Sequence, residues 1–287
     1  MKRRKKRHFK KSFKLSLVII ILFLLLSCIY YKQKETLVNG NTLIENNDSF
    51  NINTDIDLNE NLTTLEKLQV LSKYDNRINT IINNYDDYPE PLIEMLTRNL
   101  DMLDFVLEYP QKLGNIYSDN VGNVKKGTIP LLLQWDTRWG YAKYGDSSIA
   151  ISGCGPTALS MVIVGLTGDN TMTPYKIAKF SEDNGYFFSN SGTSWSLMTE
   201  GARKLGLKSK EISLSKNLIF NALENGHPII CSMGAGDFTT TGHFIVLTGI
   251  ENGKIKINDS NSKERSNQLW EYERLQSQIK NLWEYSK

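Results

Sequence analysis

The sequence predicts an α+β fold in which helices come first and an antiparallel sheet follows. Apolar residues with helical spacing occupy 62–113, and a nearly unbroken apolar segment follows Pro156. Short strands are predicted at 228–233, 242–249 and 254–258, and an Asn-Gly pair between the last two is typical of a hairpin turn. Helices followed by antiparallel strands are characteristic of the α+β class.

The N-terminal region predicts a membrane anchor. Residues 1–14 carry nine Lys and Arg and no acidic residue, so the overall charge of +3 leaves −6 on 15–287. This basic tail is expected to be cytoplasmic, and the distribution of charge excludes nucleic-acid binding by the rest of the chain. Residues 15–31 are uncharged and mostly apolar, and as a transmembrane helix they span about 25 Å. The remaining chain is therefore expected outside the cell.

Two other interpretations of this segment stay open. It has the character of a cleaved signal peptide, or of a lipoprotein signal processed at Cys28, and both would still export the rest of the chain. Residues 32–60 are rich in Asn, Asp, Thr, Glu and Lys without periodicity, which predicts a flexible linker.

Residues 61–115 predict a helical hairpin extension. Apolar positions have helical spacing over 65–82 and 92–107, prolines separate the two segments, and Tyr109-Pro110 ends the second. Two helices bury too little apolar surface to be stable alone, so we expect them to pack on the domain that follows.

The main domain is expected to occupy 125–287. An extended segment at 130–134 leads to the apolar helix, and further helices are predicted to begin at Pro174 and near Ser194, a plausible cap. After the predicted strands, 270–285 predicts a short helix and an edge strand.

The stretch 151–165 places a single cysteine between two glycines, ahead of a proline and an apolar run. Proline is favoured at the first helical position, so the helix is predicted to begin at Pro156 and to be buried on all sides. Cys154 then lies at the positive end of the helix, where a thiol pKa falls from ~8.5 to ~3.5–7.5. The alternative is a small buried residue, and a disulfide to Cys231, itself in an apolar strand, also stays open.

A nucleophilic cysteine needs a base, and the chain has only three histidines. His8 lies in the basic tail and His227 precedes a proline, which leaves His243 at the start of a strand. The hairpin returns Asn258 and Asp259 towards this strand, and either residue is a candidate to orient the imidazole. A two-residue loop places Asn258 on the face of His243, whereas a longer loop or one bulge selects Asp259.

Negative charge on a tetrahedral intermediate needs preorganised donors. The backbone N–H of Cys154 is one, and the side-chain amide of Gln134 is the best-placed second donor upstream, unless it is an ordinary polar loop residue. The histidines and cysteines lack metal-ligand spacing and no Gly-rich loop follows a strand, so the sequence implies no metal and no other cofactor.

Five motifs in this order resemble the C39-like peptidase domain, the second C39 family of cysteine peptidases with a papain-like fold: Gln134–Trp139, Ser152–Leu159, Gly192–Trp195, Gly242–Leu247 and Asn258-Asp259. The resemblance covers about 129–287. Residues 104–110 resemble the N-terminal extension of membrane-anchored members from Gram-positive bacteria.

The resemblance implies roles for four residues. Cys154 would be the nucleophile, His243 the base, Asp259 the orienting acid and Gln134 the oxyanion donor. Gln134 lies farther ahead of the cysteine than in related thiol proteases, and Ser260 stands where the family usually has proline.

The sequence therefore predicts a membrane-tethered, extracytoplasmic cysteine peptidase that cleaves a peptide or protein through an acyl-enzyme. Two alternatives stay open. One is a thiol amidase acting on cell-wall peptides through the same chemistry, and the other is a non-catalytic surface binding protein with the same fold.

Overall fold

A computed structural model describes Leu58, residues 61–189 and residues 192–287. The basic tail 1–14, the predicted membrane segment 15–31 and nearly all of the predicted linker lie outside the described residues. None of the helices in the described ranges has the length and apolar character needed to cross a membrane.

The N-terminal extension consists of four short helices, α1 to α4: Thr64–Leu71, Ile78–Asn83, Glu90–Arg98 and Leu103–Lys112. A 3₁₀ turn at Tyr85–Asp87 lies between α2 and α3, and another at Leu100–Met102 lies between α3 and α4. The predicted two-helix hairpin is therefore wrong in its number of helices, because each predicted segment is divided into two.

Polar side chains account for these breaks. Asp75 Oδ1 accepts a 3.0 Å hydrogen bond from the Arg77 N–H, and Asn99 Oδ1 accepts a 3.2 Å bond from the Asp101 N–H. Such local side-chain-to-backbone bonds compete with helical ones. The prediction that Pro110 ends the second segment is also wrong, since Pro110 lies inside α4 and its missing N–H affects only the last turn.

The extension packs on the main domain, as the sequence predicts. The Phe105 ring stacks on Tyr141 with centroids 4.2 Å apart and planes 9° from parallel. Apolar side chains of α1 to α4 share one buried cluster with Trp135, Tyr141 and Ala150, which we call the shared cluster. The extension and the main domain consequently belong to one compact unit.

The main domain contains a six-stranded antiparallel sheet of strands β5 to β10, which in chain order are Lys208–Glu211, Ile229–Met233, His243–Glu251, Lys254–Asp259, Leu269–Trp270 and Ile279–Ser286. Their order across the sheet is β5-β10-β6-β7-β8-β9. Two small hairpins precede the sheet, formed by β1 and β2 (Lys143–Tyr144, Ser147–Ser148) and by β3 and β4 (Phe187–Phe188, Gly192–Thr193).

The predicted edge strand at the C-terminal end of the domain is wrong in its position. β10 lies between β5 and β6, so both of its edges are hydrogen-bonded. Leu282 and Trp283 are successive residues that point to opposite faces, and both are buried. Burial on both faces is what an internal strand requires.

Helices cover both faces of the sheet. The remaining helices, α5 to α11, are Ile149–Ser152, Cys154–Thr167, Pro174–Asp183, Ala202–Lys204, Lys216–Glu224, Lys263–Ser266 and Tyr272–Gln276. A π-helical turn, Leu197–Gly201, leads into α8. The apolar helix α6 packs with Phe244 and Val246 of β7, whereas Ile219 of α9 packs with Ile245 and Leu247 on the other face.

Helix α6 is buried over Gly155–Gly165, as its apolar sequence predicts. It begins at Cys154 rather than at Pro156, so the proline is the third helical residue. Proline is tolerated there because the first four N–H groups of a helix have no intrahelical acceptor. The cysteine is therefore the first residue of the helix.

Candidate active site

Cys154 opens helix α6 and is partly exposed, while the helix behind it is buried. Both neighbouring glycines are needed for close packing. A Cβ on Gly153 would lie 2.5 Å from the Ile149 carbonyl oxygen, and one on Gly155 would lie 2.9 Å from the Thr193 side chain. The two glycines thus allow the start of the helix to pack closely against Ile149 and Thr193.

The hairpin β7–β8 brings one acid beside His243. Asn252 and Gly253 form its two-residue turn with positive φ angles of 52° and 75°, as the Asn-Gly pair predicts. Between the pairs Leu247–Ile257 and Gly249–Lys256 the register shifts by one residue. This bulge at Thr248 is the case that selects the aspartate.

The register below the bulge decides between the two candidates. Ile245 pairs directly with Asp259, and Val246 pairs with Asn258. Since side chains alternate along a strand, Asp259 shares the face of His243 and Asn258 lies on the other. Asn258 instead donates a 3.2 Å hydrogen bond from Nδ2 to the Ile129 carbonyl.

His243 and Asp259 form a buried pair. Nε2 of His243 lies 2.7 Å from Oδ1 of Asp259, and the residues are 7% and 0% exposed. Asp259 also accepts a 2.6 Å bond from Nε of Arg265 and a 2.8 Å bond from the Asn261 N–H. Burial alone would raise the pKa of Asp259, but His243, Arg265 and the Asn261 N–H outweigh it and lower that pKa to about 2.

The aspartate in turn sets the charge of the imidazole. Burial lowers the pKa of His243, but the charge and hydrogen bond of Asp259, together with Cys154, raise it to about 10. Because Nε2 faces Asp259, Nδ1 is the ring nitrogen left for the thiol. The imidazole is therefore a cation at neutral pH.

The thiol responds to that cation. Burial raises the pKa of Cys154, but the hydrogen bond and charge of His243 and the backbone N–H groups of Phe244 and Gly155 overcome it, so the pKa lies below its ordinary value. The raised pKa of His243 and the lowered pKa of Cys154 both act in the direction that stabilises a thiolate–imidazolium pair.

Gln134 is buried, at 2% exposure, and its amide is held at both ends. Nε2 donates a 2.7 Å bond to the Ala150 carbonyl, and Oε1 accepts a 2.9 Å bond from Oγ of Ser260. The backbone N–H of Gln134 also donates to the Ser260 carbonyl at 2.8 Å. Ser260 thus orients the amide, and one of the two N–H groups on Nε2 is taken by Ala150.

The four sequence-predicted residues are brought together, three of them around one cleft. Gln134, Cys154 and His243 line a cleft of about 300 Å³, and Asp259 lies behind His243. The loop 236–242, which directly precedes His243, forms one side of this cleft. A larger open groove of about 1030 Å³, lined in part by Tyr117 and Phe180, contains none of the four.

The other cysteine and histidine candidates are used elsewhere. Cys231 is fully buried, and burial raises the pKa of its thiol well above the ordinary value. Cys154 and Cys231 are both free thiols, so the disulfide left open by the sequence is not formed. His227 pairs through Nδ1 with Glu284 Oε1 at 2.7 Å, and His8 lies outside the described residues. Within the described ranges, no cluster of three His, Cys, Asp or Glu residues is arranged to hold a metal ion.

Sequence reasoning missed Arg265 and Asn261. Both lie in the turn and helix after Asp259, and both hydrogen-bond its carboxylate. The helix α10 that carries Arg265 is only four residues long and has no apolar periodicity. A short polar helix of this kind gives no pattern that would mark its arginine as part of a site.

The family model described as "Peptidase_C39 like family" matches residues 126–287, which is more than half of the chain. The chain belongs to this family. Gln134, Cys154, His243 and Asp259 all lie within the matched residues, whereas helices α1 to α4 lie outside them. The C39-like match confirms the resemblance seen in the sequence and supports a papain-like α+β fold for the main domain.

Two solved structures are similar to this C39-like chain. One is the peptidase domain of ComA from Streptococcus, a bifunctional ABC transporter involved in a quorum-sensing pathway, with 24% identity and a TM-score of 0.40 over 55% of this chain and 98% of that one. The other is a C39-like peptidase from Bacillus anthracis, with 18% identity and a TM-score of 0.33 over 57% of this chain and 98% of that one. No curated protein matches the chain.

Proposed function

We propose that this C39-like chain is a cysteine peptidase that hydrolyses peptide bonds through Cys154, His243 and Asp259. The observation that carries the proposal is the buried carboxylate at 2.7 Å from the imidazole, beside a thiol at the start of a helix. The pKa of His243 is raised to about 10 and that of Cys154 is lowered, and both shifts favour a thiolate nucleophile beside an imidazolium proton donor.

The first half of the reaction forms the acyl-enzyme. The thiolate of Cys154 attacks the peptide carbonyl carbon, and the carbonyl electron pair moves to oxygen. The N–H of Cys154, which has no intrahelical acceptor, and the second N–H on Nε2 of Gln134 are the proposed donors to that oxyanion. As the C–N bond breaks, the imidazolium of His243 gives its proton to the leaving amine.

The second half restores the enzyme. Neutral His243 takes a proton from water, and the resulting hydroxide attacks the thioester carbon. The C–S bond breaks, the acid is released, and the Cys154 thiolate faces an imidazolium again. Asp259, held by Arg265 and Asn261, keeps the ring oriented through both halves.

Peptide digestion tests this proposal. We expect the purified full-length chain to cleave members of a peptide library at neutral pH, as followed by mass spectrometry. Cys154→Ala should lower the turnover by ~10⁴-fold or more, because the nucleophile is lost. Cys231→Ala is the matched control and should retain turnover, since its thiol is fully buried, does not line the cleft and has a raised pKa.

The outcomes separate the alternatives. Cleavage that survives in Cys154→Ala would refute the mechanism. Release of peptides from purified peptidoglycan, with no cleavage of linear peptides, would replace the peptidase by a cell-wall amidase. A chain inert in both digests, whose wild-type thiol also titrates as a free cysteine, would be a binding protein.

The membrane tether and the extracytoplasmic location belong to the proposal as well. Their support is the sequence alone, namely the basic residues 1–14 followed by the apolar segment 15–31. Protease added to intact cells should remove the part of the chain that follows the segment. Protection of the whole chain until the cells are lysed would contradict this topology.

A further inference from the structure

Helix α3 of the extension forms part of the catalytic cleft, although it lies outside the family-matched residues. The cleft that contains Cys154 and His243 is lined on this side by residues of α3 and its C-cap: Pro91, Glu94, Met95, Arg98 and Asn99. The extension therefore contributes directly to the surface that a substrate would meet.

The sequence of α3 explains how one helix serves both the core and the cleft. Leu92, Ile93 and Leu96 are fully buried and belong to the shared cluster. Positions 91, 94, 95 and 98 follow the i, i+3, i+4, i+7 spacing of a second stripe, and this stripe lines the cleft. We call it the cleft stripe.

The cleft stripe combines apolar surface with balanced charge. Met95 is partly buried and packs, like Ile151, against the shared cluster, and Ile151 lines the cleft three residues before Cys154. Glu94 and Arg98 are half-exposed and lie 3.9 Å apart as an i, i+4 pair, so together they add no net charge. The apolar part of this surface, formed by Met95 and Ile151, favours an apolar side chain over a charged one, and the paired charges beside it do not attract a charge of either sign.

The position of α3 is tied to the catalytic pair. Asn99 is buried and donates a 2.6 Å hydrogen bond from Nδ2 to the Asn261 carbonyl. The N–H of the same Asn261 donates to Asp259 at 2.8 Å. Because this chain of contacts connects the end of α3 to the carboxylate, the wall is held at a defined place relative to the reacting atoms.

We propose that the cleft stripe of α3 is a substrate-binding wall, on which Met95 and Ile151 accept an apolar side chain of the peptide next to the bond attacked by Cys154. The cleft volume of about 300 Å³ is at the lower end of the range for ligand sites, which suits a short extended segment. This inference deepens the proposed peptidase function and rests on it for the nature of the substrate.

Thiol labelling tests the wall without requiring peptide cleavage. Iodoacetamide and N-benzyliodoacetamide react at the same carbon, but only the second carries an apolar group. We expect the benzyl reagent to be favoured at Cys154 of the full-length chain several-fold more than at glutathione. Met95→Gln should lower this preference by about fivefold, because a polar group replaces the apolar contact at similar length.

Two further variants serve as controls. Met95→Leu should keep the preference, since it restores apolar surface. Leu107→Ala truncates another partly buried side chain that packs on the shared cluster but does not line the cleft, so it should also keep the preference. Circular dichroism of each variant checks the fold.

The results distinguish this inference from the peptidase proposal. The proposed substrate-binding wall would be refuted if Met95→Gln left the preference for the benzyl reagent unchanged, or if Leu107→Ala lowered it equally. If the preference falls only in Met95→Gln while the wild type cleaves no peptide, the apolar site stands and the peptidase proposal fails.

Discussion

The described residues contain two free thiols in opposite environments. Cys154 is partly exposed at the start of a helix, and a histidine cation and two backbone N–H groups lower its pKa. Cys231 lies in the middle of β6 with no exposed surface, and burial raises its pKa well above the ordinary value. Both side chains are chemically identical, so the surrounding atoms alone decide which thiol reacts.

The contrast also shows how burial can be outweighed. Burial disfavours both thiolates, and at Cys231 nothing opposes it. At Cys154 the hydrogen-bonded histidine cation outweighs burial, so the pKa of the thiol is lowered instead of raised. The two sites are parts of one chain, so a single mass-spectrometric labelling experiment measures both under the same conditions.

The largest expected effect comes from removing the cation. His243→Ala should raise the pKa of Cys154 above its ordinary value, because burial would then act with little opposition. At pH 6 we expect the rate of alkylation by iodoacetamide to fall by roughly tenfold or more, since the thiolate fraction falls faster than its nucleophilicity rises. The rate is measured across pH by mass spectrometry, with the unreactive Cys231 as an internal reference.

This substitution would make the two thiols alike. A pH profile of Cys154 that does not move in His243→Ala would show that the helix start, rather than the histidine, sets the reactivity of the thiol. Labelling of Cys231 in the variant would indicate unfolding and disqualify the measurement.

A smaller effect is expected from Asp259→Asn, which keeps the shape of the side chain but removes its charge. The charge of Asp259 raises the pKa of His243 to about 10 against the effect of burial, so its loss should lower that pKa towards neutrality. The ion pair persists between the pKa of the thiol and that of the imidazole, and its upper limit in the pH–alkylation profile should therefore move down from about 10.

The same profile in the wild type is the control for Asp259→Asn. An upper limit that stays in place would mean that Asp259 does not set the charge of the imidazole. Peptide turnover at pH 7 should fall by ~10²-fold, less than after loss of His243 itself.

The order of the elements and the residues of the candidate site could be predicted from the sequence. Three local patterns predict these elements: the apolar run after Cys154, the Asn-Gly turn and the alternation in β8. The structure forms the corresponding elements, helix α6 and the hairpin β7–β8. Elimination among three histidines selected His243, because a chain with so few candidates leaves little choice.

The choice of the acid could not be made in the same way. Asp259 and Asn258 differ by one position, and the bulge at Thr248 decides between them. A bulge arises from the fit of two twisted strands to their neighbours, and no residue type marks it in a single sequence. From the sequence, Asp259 is preferred only because the resemblance to the C39-like family implies it.

Long-range packing accounts for the other differences. β10 lies inside the sheet because β5, far away in the sequence, adds to its outer edge. Asn99 reaches the Asn261 carbonyl across a separation of 162 residues, and Arg265 reaches Asp259 only because a short helix turns back. Local periodicity carries no information about such pairings.

The shared cluster has a consequence for where this protein can be divided. The family boundary at residue 126 marks what the chain has in common with its relatives, and it runs through a single hydrophobic core. A fragment that starts there would expose the faces of Trp135 and Tyr141 now covered by α1 to α4, and would keep Cys154 and His243 while losing part of the surface around them. The range matched by the family model and the hydrophobic core therefore have different limits in this chain, because the core includes helices α1 to α4 and the matched range does not.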